Sequence, residues 1–574
     1  MKSDNFKRII LIFTGFCATG VMLTLIQAPL SIDYLAWTSL VPLVLLSNDK
    51  SKPGQLILAG YITCFCYWLI NLYWLGFVTA AGWIAFCLYM GCYWPVLSVL
   101  LRFCRCRAIP MIIAVPVLVV GAESFQAVIL GGFGWRYLAH SQYENIRLIQ
   151  IADIFGTAGV SFLIAMVNGA LVDMILNISK KSAVSAGNIT GNIIRIAVVA
   201  CAITAALLYG CQRVNQTPGY VSEGPLIASV QCNIPLRVKE SGLAEVHILA
   251  DLLRQSTAAS NSKAELIVWP ETMVQTTLDE RFLLLCDPCH PARIFDAVLG
   301  EHAKDRAYIL VGSYAGKPAV IDGKNYLVER YNSAFLYRPD GYQDPNHYDK
   351  IHIVPFGEYV PFKESLPSLH KWLLKLTPYE YDYSLNQGSN YTVFNMAGKP
   401  HDYRFAVLIC YEDTIAGIAR HFALNKNNKK RIDWLVNISN DGWFVRFCGG
   451  DVSASTELVQ HTAICVFRAV ENRLAVVRSV NTGISCLIDS LGRIKNGYLS
   501  GNLPMKAMDR QGVAGWFVDR VDIDKRVTFF SRYGQVLDPA CAALLLLTAL
   551  WALRIWLQNR KASCPRSRFS ESPA

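Results

Sequence analysis

Eight runs of apolar residues, set around one long stretch of mixed polarity, limit what this chain can fold into more than any other feature. They fall at roughly 8–27, 34–48, 55–78, 82–101, 108–130, 148–176 and 193–211, and then at 538–557. A helix needs about 20 apolar residues to cross the hydrocarbon core of a bilayer. Hydrophobic residues make up 53% of the 574 positions and charged ones only 17%. Their clustering predicts a multi-pass α-helical membrane bundle of about eight spans, with one domain inserted before the last. The first run reads as a retained span, because no small-residue cleavage pattern precedes the second.

Charge placement tests this layout, since Lys and Arg in short loops stay on the cytoplasmic side. Lys2, Lys7 and Arg8 precede the first run, and Lys50 and Lys52 follow the second. Arg102, Arg105 and Arg107 follow the fourth, Lys180, Lys181 and Arg195 the sixth, and Arg554, Arg560, Lys561, Arg566 and Arg568 the last. With eight crossings, every cluster falls on one side. The other side receives the turns 28–33 and 78–82, the loop 131–147 and the insert, which is thereby placed outside the cytoplasm. The expected segments are a bundle at 1–214, an extracytoplasmic domain at 222–525, a last span at 537–558 and a basic tail at 559–574. Much of the net charge of +11 sits in these loops and the tail, so it marks topology and not a nucleic-acid partner.

Within the insert, short β-like runs alternate with helical stretches. Expected strands are Leu226–Gln231, Leu266–Trp269, Tyr308–Gly312, Ser333–Tyr337, Phe405–Ile409, Trp434–Ile438, Ala475–Ser479 and Ser485–Ile488, several of them apolar throughout, as strands buried on both faces are. Expected helices are Leu243–Ala259, Ala292–Ala303 and Ser455–Asn472. The domain therefore reads as mixed α/β.

Three segments of the insert carry chemistry: Trp269-Pro270-Glu271-Thr272, the stretch from Lys350 to Pro361, and Ile409-Cys410-Tyr411-Glu412. Glu271 and Cys410 follow expected strands, where α/β sheets place reactive groups, and Lys350 lies in a loop stiffened by Pro355 and Pro361. A thiol attacks as thiolate, so Cys410 needs a base or a positive charge nearby. Glu271 fits the base, and the ammonium of Lys350 fits an oxyanion partner in a water-poor site. Singly, each has a plainer reading: a packed thiol, a helix-terminal acid and a solvated loop charge.

The flanks favour the joint reading. Val230-Gln231-Cys232-Asn233-Ile234-Pro235, the segment around Glu271, Tyr331–Ala334, Lys350–Pro361, Ile409–Glu412, Ser439–Phe444, Gln460-His461, Arg468–Asn472 and Asn481–Ser485 together resemble the bacterial apolipoprotein N-acyltransferase family. In the membrane part, Glu123 and Gly132-Phe133-Gly134-Trp135 with Ser141-Gln142 resemble it too. The resemblance implies a nitrilase-like αββα sandwich with a Glu-Lys-Cys triad: Glu271 as general base, Lys350 as charge stabiliser and Cys410 as acylated nucleophile. Glu358, Tyr411 and Glu412 match supporting positions. Glu358 is expected to orient Lys350, the Tyr411 N–H to face the oxyanion, and Glu412 to act either as a proton carrier or as a hydrogen-bonding acid behind the triad. The implied reaction moves an acyl chain from a membrane phospholipid, through a thioester, to the N-terminal amine of a diacylglyceryl apolipoprotein, at the periplasmic side of the bacterial inner membrane.

The chain departs from the family pattern at Lys239-Glu240, where an aromatic is usual after the lysine, at Val445, where a glycine is usual, and in a longer stretch at 445–459. Residues Phe362–Leu376 alternate Leu and Trp with Lys and read as an amphipathic lid. Two rival readings remain: a tethered amidase, for which one span would suffice, and a transporter or scaffold, for which Glu123, Asp153 and Asp173 are few charges. Cys286-Asp287-Pro288-Cys289-His290 matches the haem c attachment pattern, but a disulfide or two free thiols is the simpler reading. No metal cluster or nucleotide loop stands out, and no cofactor is expected.

Overall fold

The computed structural model describes residues 2–563 apart from 179–185, 242–243, 322–323, 376, 378–382, 399–400 and 450. Six segments among the described residues are long and apolar enough to cross a bilayer: Asn5–Leu25, Pro53–Asn71, Ala80–Cys106, Thr157–Ile178, Ile189–Gly219 and Leu537–Arg560. The expected spans at 34–48 and 108–130 are shorter helices, Asp33–Leu46 and Met111–Gln126. The first is a 3-10 turn followed by a short helix with a proline at its start. The second covers 16 residues, a rise of about 24 Å against a hydrocarbon core of about 30 Å. Beyond its end Gly131 and Gly132 turn the chain at φ 91° and 81°, and a Cβ on Gly132 would meet the Ala127 carbonyl at 2.1 Å. The run expected at 148–176 also splits. Its first part forms the single turns Ile146–Ile149 and Ala152–Phe155, and the long helix starts only at Thr157, after Gly156 at φ 66°.

Basic residues near the ends of two helices converge at one end of the bundle. Arg8 donates to Asn48 and Ser51, Arg102 to the Ser51 carbonyl, and Arg105 to the carbonyls of Val44 and Leu45. The opposite ends of the same helices carry the segments that meet the domain. Lys180, Lys181 and the tail beyond 563 lie outside the described residues. The acids singled out in the bundle have partners: Asp173 accepts from the N–H groups of Met111 and Ile112, capping that helix, and Glu123 accepts from the Leu138 N–H.

The domain is built on two packed sheets. We number the strands β1 (Val221–Gln231), β2 (Leu266–Val268), β3 (Tyr308–Ile321), β4 (Lys324–Tyr337), β5 (Gln343–Asp349), β6 (Phe394–Met396), β7 (Tyr403–Ile409), β8 (Trp434–Ser439), β9 (Arg446–Cys448), β10 (Asp451–Ser453), β11 (Ala475–Val480), β12 (Cys486–Ile488), β13 (Ile494–Lys495), β14 (Leu499–Ser500) and β15 (Gly515–Asp524). One sheet runs β14-β15-β1-β2-β3-β4-β5, the other β13-β12-β11-β8-β7-β6, with β9 and β10 a separate hairpin. The centres of both are parallel, β1-β2-β3 and β7-β8-β11, and their apolar strands are buried on both faces, as parallel strands are. Ser479 on β11 donates across the sandwich to the carbonyls of Val230 and Val268, which fixes the two sheets face to face.

Helices Glu245–Ser260 and Pro291–Ala303 cover the outer face of the first sheet, and Ala416–Ala423 and Thr456–Asn472 that of the second. The helix Thr456–Asn472 is also the seam with the bundle, and its residues 457–472 are all buried. Trp135 donates its indole N–H to Gln460 at 2.8 Å, Gln460 donates to the Ala28 carbonyl, and Thr157 donates to Glu471. Just past the helix, Arg473 pairs with Asp153 at 2.6 Å.

Candidate active site

The two sheets deliver the reactive side chains from strand ends. After β2 the chain runs through Trp269, whose indole N–H donates to Ser256, to Glu271. Neighbouring β3 passes so close that a Cβ on Gly312 would meet the Thr272 N at 2.5 Å, which is why this position is glycine. After β7 the chain turns at Cys410 with φ 52°, a left-handed conformation that a non-glycine residue adopts at a cost of about 1–3 kcal/mol. That turn ends the strand abruptly and starts the 3-10 turn Cys410–Thr414. Asn437 on β8 holds it by donating to the Leu408 and Cys410 carbonyls.

Lys350 follows β5 and is 1% exposed. Its Nζ lies 2.8 Å from Glu358 Oε2 and 3.6 Å from Glu271 Oε1. Asn332 on β4 ties the two acids together, donating from Nδ2 to Glu271 Oε1 at 2.7 Å and to Glu358 Oε1 at 2.9 Å. Glu271 Oε2 accepts from the Asn440 N–H at 2.9 Å, and Glu358 Oε2 from the Val354 N–H. Lys239 is buried and donates to the Glu271 carbonyl and the Thr272 hydroxyl. Burial alone would lower the Lys350 pKa, but the carboxylates of Glu358 and Glu271 outweigh it and hold the group above its ordinary range. Burial pushes the Cys410 thiol up; the nearby Glu271 charge adds to this and Lys350 opposes it. Glu271, Lys350 and Cys410 thus form one electrostatic unit in which the resting thiol keeps its proton and the ammonium keeps its charge.

The supporting residues split into two tasks. Glu412 accepts from the N–H groups of Ile409, Ile351 and His352, at 2.7, 2.7 and 3.0 Å, and from the Tyr348 hydroxyl. Burial pushes its carboxyl up to about 7, against the pull of those backbone donors. It therefore braces the loop after Lys350 against the strand before Cys410. The Tyr411 hydroxyl donates to the Gly132 carbonyl and accepts from the Gly134 N–H, tying the residue after Cys410 to the bundle. Asn332 and Asn440 lie in segments that the sequence marks as landmarks without giving them roles; Asn437 and the Lys239 contact carried no signal. Cys286 and Cys289 are free thiols, and His290 accepts from the Ala292 N–H as the cap of its helix, a structural task for the C-x-x-C-H histidine.

Residues 19–170 match the model of the apolipoprotein N-acyltransferase N-terminal domain, and residues 226–514 that of the carbon-nitrogen hydrolases. An apolipoprotein N-acyltransferase of Geobacter metallireducens is 31% identical over 551 residues, covering 93% of this chain and 94% of its own length. The chain belongs to the apolipoprotein N-acyltransferase family. A second apolipoprotein N-acyltransferase, from Chlorobaculum tepidum, is 26% identical and covers 91% of this chain and 92% of its own. Among solved structures, an amidase from Nesterenkonia sp. matches 54% of this chain and 94% of its own with 15% identity and a TM-score of 0.33.

As an apolipoprotein N-acyltransferase, the protein is an acyltransferase whose nitrilase-like domain sits on a set of apolar helices. Its departures from the family pattern have structural counterparts. Val445 is buried, and the residues after it form the β9–β10 hairpin, where Arg446 lies 4.4 Å over the ring of Phe77 in the bundle. The lid residues form a helix only at Pro367–Leu374; Leu366 and Trp372 are exposed while His370 is buried, and Leu376 lies outside the described residues.

Proposed function

We propose that Cys410, Glu271 and Lys350 carry a two-step exchange between a membrane phospholipid and the N-terminal amine of a diacylglyceryl apolipoprotein. In the first step Cys410 Sγ bonds to the ester carbonyl carbon as its proton passes to Glu271. The ammonium of Lys350 and the Tyr411 N–H stabilise the negative oxygen. Collapse breaks the ester C–O bond, and the departing lysophospholipid oxygen takes the proton from Glu271. In the second step the acceptor amine attacks the thioester, gives its proton to Glu271 and expels Cys410, which is reprotonated by the same carboxyl.

The observation that carries this reading is the Lys350 ammonium held at 2.8 Å from Glu358 and 3.6 Å from Glu271. A held ammonium there supports the reading, because both tetrahedral intermediates carry a negative oxygen that a fixed positive charge stabilises. Glu271 remains competent as a base because its carboxylate offers about four lone-pair sites and uses two for Asn332 and Asn440, with Lys350 beside it as an ion pair at 3.6 Å. Glu412 and Glu358 are positioning residues that fix Lys350 and the nucleophile turn. Both substrates are held by acyl chains, which explains why the domain is built onto a bundle. The exposed Leu366 and Trp372 are suited to dip into lipid and gate the incoming chain.

Location follows from the charge pattern: the basic end of the bundle faces the cytoplasm, and the domain lies on the periplasmic side of the inner membrane. The segments 1–214, 222–525, 537–558 and 559–574 are then the bundle, the catalytic domain, the closing span and the cytoplasmic tail.

Intact-protein mass spectrometry after incubation with phospholipid alone tests the chemistry. The wild type is expected to gain one fatty-acyl mass that a diacylglyceryl-cysteine peptide discharges, and Cys410→Ala to gain none. An unmodified wild type that hydrolyses small amides would replace this reading with a tethered amidase. A membrane-impermeant maleimide that labels the exposed Cys289 in intact spheroplasts would agree with the periplasmic placement, and labelling only after lysis would reverse it.

A further inference from the structure

Asn440, whose N–H holds Glu271, is followed by Asp441, and Asp441 belongs to a buried group that no step above uses. It comprises Asp441 after β8, Glu457 and His461 on the helix Thr456–Asn472, and Asp413 and Arg478 behind them, each at most 2% exposed. His461 Nε2 lies 2.8 Å from Asp413 Oδ1, and the other Asp413 oxygen accepts from Arg478 at 2.8 Å. The other ring nitrogen, Nδ1, faces Asp441 Oδ1 and Glu457 Oε1, each 3.3 Å away, and in the tautomer protonated at Nε2 it offers them a lone pair. Asp441 Oδ1 also accepts from the Ser439 hydroxyl, and Arg478 lies 3.5 Å from Asp441 Oδ2.

Three features set this cluster apart from an ordinary ion-pair network. His461 Nδ1 and both oxygens of Glu457 are buried without a hydrogen-bond partner. Charge-assisted N–H···O bonds run at about 2.7–2.9 Å, so 3.3 Å is long for one. It is close to the separation of about 3.4 Å between ligands of a tetrahedral ion whose bonds are about 2.1 Å. Donor atoms from Asp441, Glu457 and His461 all fall within 4.8 Å of one another. Asp413 on the far ring nitrogen is the outer carboxylate that orients a metal-bound histidine.

We propose that Asp441, Glu457 and His461 bind one divalent transition-metal cation of the zinc class, with Asp413 orienting the imidazole. One nitrogen and two carboxylate ligands suit such an ion, and its two charges balance those of Asp441 and Glu457. The ion would tie the first turn of the helix Thr456–Asn472 to the end of β8. It would thereby fix Asn440, the donor to Glu271. Glu457 and His461, four residues apart on a helix, share a face, but Asp441 reaches them only through the fold, which is why the sequence shows no metal motif.

The test uses full-length protein in detergent, stripped with EDTA, reloaded with Zn2+ and desalted, then analysed by elemental analysis and zinc X-ray absorption. The expected result is one zinc per chain in a shell of nitrogen and oxygen only, with imidazole scattering. Glu457→Gln should retain about ten-fold less and lose the zinc-dependent rise in Tm. A wild type that retains no zinc, equal occupancy in wild type and Glu457→Gln, or sulfur in the shell, which would place the ion on Cys286 and Cys289, would each overturn the proposal. If Glu457→Gln does not fold, the wild-type absorption spectrum decides alone. No acyl transfer is measured, so the result stands apart from the reaction proposed above.

Discussion

The Lys350 ammonium sits closer to Glu358, at 2.8 Å, than to the proposed base Glu271, at 3.6 Å. Glu358 therefore sets where the cation rests, and Glu271 keeps room to accept a proton. Glu358→Gln should lower the rate of Cys410 acylation by about 10²–10³, the range for loss of a preorganised electrostatic contact. A burst-phase acylation assay that finds less than a two-fold change would remove Glu358 from this role.

Glu412 receives four donors and presents none, so its amide analogue must turn an N–H2 toward N–H groups. Glu412→Gln should cost about 1–3 kcal/mol for each buried donor left unpaired, seen as a lower Tm, and should slow acylation because both Lys350 and Cys410 lose their brace. An unchanged Tm would mean that the loop after Lys350 is held by other contacts.

The thiol of Cys410 is pushed up by burial and by Glu271. Its reactive form is the deprotonated one, so alkylation by iodoacetamide should rise with pH by about ten-fold per unit between pH 7 and 9 without levelling. Peptide mass spectrometry of Cys410 labelling would show this. A plateau below pH 8 would mean a resting thiolate and a mechanism without a proton transfer to Glu271.

Trp372 is 56% exposed on the short helix Pro367–Leu374. Trp372→Glu should impair acylation by vesicle phospholipid by about ten-fold or more, since a charge opposes entry into the interface. It should spare acylation by a water-soluble short-chain ester. Equal activity on both donors in wild type and variant would make this helix a surface element only.

Strands with strong internal signals were legible in the sequence: Phe405–Ile409 and Trp434–Ile438 are apolar throughout and fall within β7 and β8. β5, Gln343-Asp344-Pro345-Asn346-His347-Tyr348-Asp349, was not, because an edge strand pairs on one side only and tolerates polar residues and proline. β15 alternates charged and apolar residues over Arg520–Asp524, after the paired charges Asp519 and Arg520, so it forms no continuous apolar run of the kind that marks β7 and β8. The six residues singled out for the site carry their own chemistry in sequence. Asn332, Asn440 and Lys239 do not: their parts in it come from pairings between strands and loops dozens to hundreds of residues apart. Apolar content alone does not mark the bounds of the two short helices of the bundle, Asp33–Leu46 and Met111–Gln126, within the longer apolar runs that hold them.

The helix Thr456–Asn472, buried along residues 457–472, bears on how freely the two halves of this protein can be recombined. One side belongs to the catalytic sandwich and the other to the membrane helices, so neither half owns it. Cutting the domain loose would wet an apolar helix face and leave Arg473 buried without Asp153. It would also free Tyr411 from Gly132 and Gly134 beside the nucleophile. A soluble fragment for screening, or a chimera with the bundle of a distant relative, would have to redesign this shared helix first. Lineages are therefore expected to change the two halves together, with substitutions at Trp135, Gln460 and Glu471 answering one another.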